Sequence, residues 1–144
     1  MTVLIDTNVL IDFLLHRSPY DKDATVIMEK CAKRNIQGYI AFHSVSNIFF
    51  ILRKYADAKT RRDMLKKLCK MVTVTAASHE EVEKTIDRED FNDFEDGLQD
   101  RCAVGVSADY IITRNVNDYN QAEVKAIMPN DFVDMLMKNK GQQE

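Results

Sequence analysis

The chain has no apolar run approaching the roughly 18 residues that a membrane-crossing helix needs, and no basic lead followed by a long apolar stretch. It is therefore read as neither exported nor membrane-spanning, and as cytoplasmic. CxxC spacing is missing too. Cys31, Cys69 and Cys102 are odd in number and each falls within an apolar helical pattern, the signature of small buried thiols in a reducing compartment rather than of zinc ligands. His16, His43 and His79 have no partner at metal-ligand spacing and are read as surface or capping residues with no catalytic role. No repeat, linker or low-complexity tract divides the chain. A single domain over residues 1–138 is expected, with 139–144 as a frayed tail.

Positive net charge is also absent, since the formal total is -3, so this is not a protein that is basic all over. The charges are unevenly placed, however. Lys59, Arg61, Arg62, Lys66, Lys67 and Lys70 form a basic block, and about twenty residues later six carboxylates fall between Glu89 and Asp100.

Hydrophobic periodicity gives alternating strands and helices. Val3-Leu4-Ile5 is a short strand that stops at Asp6-Thr7-Asn8, after which Val9, Leu10, Phe13 and Leu14 take up helical spacing. A helix over Asp21–Lys33 precedes a strand at Gly38–Ala41. Ser44 is placed as the cap of the next helix, which reaches about Tyr55. A basic helix over Thr60–Lys70 leads to a strand at Met71–Thr75, and Ser78-His79-Glu80-Glu81 matches a capping box. In the acidic helix Phe94, Leu98 and Cys102 are expected to bury one stripe while Asp93, Asp96 and Asp100 look elsewhere. Tyr110–Ile112 reads as a fourth strand, Val124–Met128 as a fifth, and Pro129 opens a last helix. The pattern implies an α/β fold: a three-layer α/β/α sandwich around a central, mostly parallel sheet of four to five strands.

Asp93, Asp96 and Asp100 follow an i, i+3, i+7 spacing that stacks like charges on one helical face, an unfavourable crowding without a cation. Asp6 ends a buried strand. If it lies beside that helix, the chain has an oxygen-rich pocket of the kind hard divalent metals prefer. Two plainer readings stand beside this one: a solvated acidic helix, and an Asp6-Thr7-Asn8 segment that only caps a helix.

Three segments, Leu4-Ile5-Asp6-Thr7-Asn8-Val9-Leu10, Asp93-Phe94-Glu95-Asp96, and Ile112-Thr113-Arg114-Asn115 with Asp118, occur in an order and spacing that resembles the PIN-domain family over residues 2 to about 136. That family comprises metal-dependent nucleases, among them the toxins of bacterial toxin-antitoxin pairs. The resemblance implies a catalytic set of Asp6, Asp93, Asp96 and Asp118, with Asp6 and Asp96 as ligands of Mg²⁺ or Mn²⁺. It implies Asn8, Ser44, Asn47, Thr113, Arg114 and Asn115 as orienting or substrate-contacting residues. Asn47 stands where the family commonly has a glutamate, and Asn115 where it has an aspartate. Each exchange of carboxylate for amide weakens metal binding, so one well-held ion is expected, with a second binding mainly alongside substrate. The implied activity is an endoribonuclease cleaving single-stranded RNA, with an antitoxin protein as a candidate partner and a homodimer as a candidate assembly. Arg114 is expected to hold a phosphate at the pocket, and the basic helix to contact the RNA backbone.

Two competitors belong to other classes. A PIN-like module with little catalysis would bind RNA or a protein. A phosphotransfer enzyme of the haloacid-dehalogenase kind would share an aspartate at the end of its first strand, but it needs a second aspartate two residues on, where this chain has Asn8. A response-regulator receiver fits less well, lacking the acceptor aspartate and lysine at their required strand ends.

Overall fold

In chain order, the computed structural model, which describes residues 1–142, contains β1 (Thr2–Ile5), α1 (Thr7–Leu15), α2 (Asp21–Ala32), β2 (Gln37–Ala41), α3 (Phe42–Ile51), α4 (Ala58–Met71) and β3 (Thr73–Thr75). It continues with α5 (His79–Ile86), α6 (Phe94–Gly105), β4 (Tyr110–Ile112), β5 (Ala126–Ile127) and α7 (Pro129–Gln142). Single 3₁₀ turns follow α3 at Leu52–Lys54 and β4 at Val116–Tyr119.

All paired strands are parallel, in the order β3-β2-β1-β4-β5. Because side chains alternate along a strand, Val3 and Ile5 of β1 enter one apolar cluster with α1, α2 and α4, whereas Leu4 enters a second with Cys102 and Ala103 of α6. β4 splits likewise, Ile112 to the first cluster and Ile111 to the second. Both faces of the sheet are thus covered by helices, which is the three-layer α/β/α arrangement.

The chain builds outward from β1 to β2 and β3, then crosses back to place β4 on the other side of β1. The order reverses between β1 and β4, and in parallel sheets a crevice opens outside the carboxyl ends of strands at that point. Asp6 and Thr113 each follow directly on those two ends.

Several expectations need correction. Ser44 does not cap a helix: α3 starts three residues earlier than such a cap implies, with Ala41 at its N-cap and no side-chain cap bond, and Ser44 is fully buried inside it. Phe94, the first residue of α6, is 48% exposed, and of the expected stripe only Cys102 is buried; the helix buries Gly97, Gln99, Asp100 and Ala103 beside it. Asp100 is completely buried; it accepts hydrogen bonds from the backbone N–H groups of Glu123 and Val124 at 3.2 and 3.1 Å and pairs with Arg101. It ties down the segment before β5 and does not join a row with Asp93 and Asp96. Cys31 and Cys102 are buried but Cys69 is exposed on α4, on the charged side of an amphipathic helix. The strand expected at 71–75 starts at Thr73 because Met71 still belongs to α4, and the fifth strand is cut to two residues. α7 runs through Gln142, across part of the tail expected over 139–144, and positions 143 and 144 lie outside the described residues.

Candidate active site

A cleft of about 370 Å³ opens over the switch point, lined among others by Asp6, Asn8, Asp93, Glu95, Asp96 and Asp118. Asp6 caps α1 by accepting from the Thr7 N–H at 2.7 Å. The same carboxylate accepts from Thr113 Oγ1 at 2.8 Å, from Tyr119 Oη at 3.1 Å, and more distantly from Gln99 Nε2 and Asn8 Nδ2, both at 3.4 Å. So many donors hold it in place although burial raises its carboxyl above the ordinary range.

Asp96 comes from the first turn of α6, where a helix N-terminus favours an acid. Burial nevertheless pushes its carboxyl up to about 7, and Asp6, Asp93 and Asp118 add like-charge repulsion. The hydroxyl of Tyr119 stands between the two acids, 3.1 Å from Asp6 Oδ2 and 3.2 Å from Asp96 Oδ1. Glu95 is raised as well, first by burial and then by Asp93 and Asp6, while the Asn47 amide, donating to its Oε1 at 2.7 Å, works the other way. Asp93 is the N-cap of α6, accepting from the Glu95 N–H at 2.8 Å. Asp118 reaches the rim on the 3₁₀ turn after β4. The result is a concentration of negative charge in a partly dehydrated crevice; among the described residues lining it the one cation is Arg17, which is itself paired with Asp12.

The PIN-domain family profile matches residues 2–117. The chain belongs to the PIN-domain family. PIN domains are generally nucleases, and such nucleases generally use divalent metal ions. Comparison with curated proteins finds no match. Among solved structures, this PIN domain is similar to a chain in the complex of VapBC2 from Rickettsia felis with a DNA fragment from their promoter, with 12% identity, TM-score 0.65, and coverage of 89% of this chain and 98% of that one. It is similar to VapBC-1 from nontypeable Haemophilus influenzae, with 16% identity, TM-score 0.63, and coverage of 90% and 99%. FitAB bound to the IR36 DNA fragment gives 14% identity, TM-score 0.60, and coverage of 88% and 94%. Identities this low establish a shared fold. Family membership removes the phosphotransfer and receiver alternatives.

The geometry bears on whether this PIN domain suits a metal. Asp6 and Asp96 both come within hydrogen-bond distance of one atom, the Tyr119 hydroxyl, so the two carboxylates are near enough to each other to suit a small hard dication that binds through one or two carboxylates and keeps several waters. An all-protein cage does not fit, because among the described residues no three His, Cys, Asp or Glu side chains converge on a metal position.

Placement of the remaining expected residues is mixed. Asn8 is where an orienting residue should be: its amide nitrogen lies 3.4 Å from both Asp6 and Thr113, and its oxygen accepts from the Arg114 N–H at 3.2 Å. Thr113 is fully buried against Asp6, and Asn115 lines the cleft. Ser44 accepts from Thr7 and Gln99 at 2.9 Å each and thereby supports Asp6 from behind. Arg114 departs from expectation. Its guanidinium turns away to the buried Asp12, bonding through Nε at 2.6 Å, and lines a neighbouring cleft. The basic residues of α4 do not line the acid cleft; Arg61 instead lies over the Phe49 ring and donates to the Phe49 carbonyl.

Sequence reasoning missed Tyr119, Glu95, Gln99, Asp12 and Arg17. Asp12 carried a usable signal, an acid flanked by apolar residues in the middle of a helix, which forces a buried ion pair. Tyr119 and Gln99 carried none, since only the folded chain brings them to Asp6.

Proposed function

We propose that this PIN domain is a metal-dependent endoribonuclease that cleaves single-stranded RNA, acting as the toxin of a toxin-antitoxin pair with an antitoxin protein as its partner. The observation that carries this reading is the pair Asp6 and Asp96, two carboxylates drawn to one point in a crevice that penalises their charge. The toxin role is supported by the likeness in fold to chains of the VapBC and FitAB complexes.

Asp6 and Asp96 would hold Mg²⁺ or Mn²⁺, with Asp93, Glu95 and Asp118 adding field from the rim. A bound dication supplies Lewis-acid activation of water and screening of the phosphate for in-line displacement. The chain's own groups do the rest. Asn8, Thr113 and Ser44, the last through Gln99, fix the orientation of Asp6. Tyr119 spans the two carboxylates: its hydroxyl has one proton to donate, and when Asp96 is protonated that acid donates to the hydroxyl while the hydroxyl donates to Asp6. Arg17 presents a cation on the cleft wall for a phosphate, the role first expected of Arg114.

A PIN module with little catalysis is the second reading, favoured by the Asn47 and Asn115 amides and by the lack, among the described residues, of three converging acids. Calorimetric titration with Mn²⁺, paired with cleavage of labelled single-stranded and duplex RNA, separates the two. The nuclease reading expects Mn²⁺ binding and metal-dependent cuts in the single strand. Binding without turnover selects the second reading.

A further inference from the structure

Asp12 is 1% exposed in the middle of α1, among buried Val9, Leu10, Ile11, Phe13 and Leu14. Two guanidinium groups neutralise it. Arg17 Nε lies 3.0 Å from Oδ1; Arg114 grips from the other side, Nε to Oδ2 at 2.6 Å and Nη2 to Oδ1 at 3.2 Å. Two cations share this one anion, so the clamp itself carries one positive charge beyond Asp12, with Asp23 the acid that lines the second cleft beside Arg114. The clamp is accessible, with the Arg17 side chain 43% and that of Arg114 23% exposed. Among the described residues, Arg114 Nη1 and both terminal nitrogens of Arg17 form no hydrogen bond to the protein.

This clamp stands between two clefts. Arg17 and Asn115 line the acid cleft, whereas Arg114, the residue before Asn115, lines a second cleft of about 330 Å³ together with Tyr20, Asp23, Met128 and Asn130. The Tyr20 ring lies under the Arg114 guanidinium at 4.1 Å, yet the residue stays 45% exposed.

We propose that the second cleft is a nucleoside subsite for the RNA strand, with Arg17 and Arg114 holding the phosphates that join it to the acid cleft. The inference rests on the nuclease reading above. Single-stranded nucleic acid is bound by aromatic or guanidinium planes that stack on bases, combined with cations that track the backbone. Tyr20 under Arg114 supplies the first, and the surplus charge of the clamp the second. Asp23 inside the cleft disfavours a phosphate there but accepts from a base amino group or a ribose hydroxyl, and the Asn130 amide can both donate and accept. Asp12 serves as a positioning residue: burial fixes it, and its two oxygens fix the guanidinium that covers Tyr20.

The test is fluorescence anisotropy of a short labelled single-stranded RNA with the full chain in chelator, alongside Mn²⁺-dependent cleavage and Mn²⁺ affinity. Tyr20→Ala is expected to weaken RNA binding by about tenfold, the size of one lost base stack. Tyr20→Phe, which keeps the ring, is expected to bind as the parent does. Arg17→Gln should weaken binding and flatten its salt dependence by roughly the slope of one phosphate contact. Mn²⁺ affinity should not change in the Tyr20 variants. Parent-like binding by Tyr20→Ala, in a preparation whose parent cleaves RNA, overturns the subsite and leaves the nuclease reading intact. Equal loss in Tyr20→Phe and Tyr20→Ala overturns the stacking role. A parent that neither binds nor cuts RNA overturns both.

Discussion

Burial first, then the charges of Asp6 and Asp93, push the carboxyl of Asp96 up to about 7. Between the ordinary value of 3.8 and about 7, the unfolded chain has released this proton while the folded chain retains it. The folded state therefore binds more protons, and this group's contribution to stability falls as pH rises through that window. Asn at the same position mimics the neutral acid at every pH. Asp96→Asn is thus expected to melt close to the parent near pH 4 and increasingly above it towards pH 7 without metal, as thermal melts across that range would show. A gap that does not widen removes the electrostatic account of the cluster. Tyr119 makes a separate prediction. Tyr119→Phe deletes a buried hydroxyl that lies within hydrogen-bond distance of both acids and has one proton to give, and should cost about 1.5 to 3 kcal/mol in urea unfolding near neutral pH, the range for a hydrogen bond to a charged group. A loss below that range would mean the hydroxyl is dispensable to the pair.

At the scale of elements, the close approach of β2 to α2 depends on Gly38. A Cβ there would lie 2.6 Å from Cys31 Sγ and 2.9 Å from Val72 Cγ1, both side chains in the first apolar cluster. Gly38→Ala is expected to destabilise by about 1 to 3 kcal/mol, the usual cost of overpacking. Adding Cys31→Ala should return part of that loss, so a double-mutant cycle gives a coupling clearly different from zero. Additive losses would place the strain elsewhere. The basic residues of α4 do not line the acid cleft, and under the proposed RNA reading they would guide the strand from a distance. Replacing Lys59, Lys66 and Lys70 by Gln should flatten the salt dependence of RNA binding with Mn²⁺ affinity unchanged, and an unaltered slope makes α4 a solvated face. These elements were readable in the sequence where local chemistry dominates. Ser78 caps α5 through the Glu81 N–H as the capping box requires, and β1, β4 and α7 begin within a residue of expectation. Reading failed where tertiary contacts override spacing. Asp100 has helical register with Asp96, yet is drawn into the fold by two backbone amides, and Ser44 has the chemistry of a cap but spends its hydroxyl on Thr7 and Gln99.

For the molecule as a whole, alternating strands and helices made the layered parallel architecture legible, because buried β-branched runs joined by helices have few other solutions. Strand order was not legible, and with it the partners of Asp6. Residues separated by more than 90 positions, such as Gln99 and Tyr119, reach that carboxylate only after β4 inserts beside β1. Motifs at strand ends therefore located the cleft, while the network that holds it needed the folded chain. Arg114 shows the same limit: its position beside the cleft was readable, its direction was not. Under the proposed function, Asp6 and Asp96 together hold the ion on which RNA cleavage depends. The most direct measurement of this is the cleavage of labelled single-stranded RNA by parent, Asp6→Asn and Asp96→Asn proteins at matched purity, each in Mn²⁺ and in EDTA. Cleavage is expected only from the parent and only with Mn²⁺; equal cleavage by either variant, or by the parent in EDTA, would rule out a metal held by this pair.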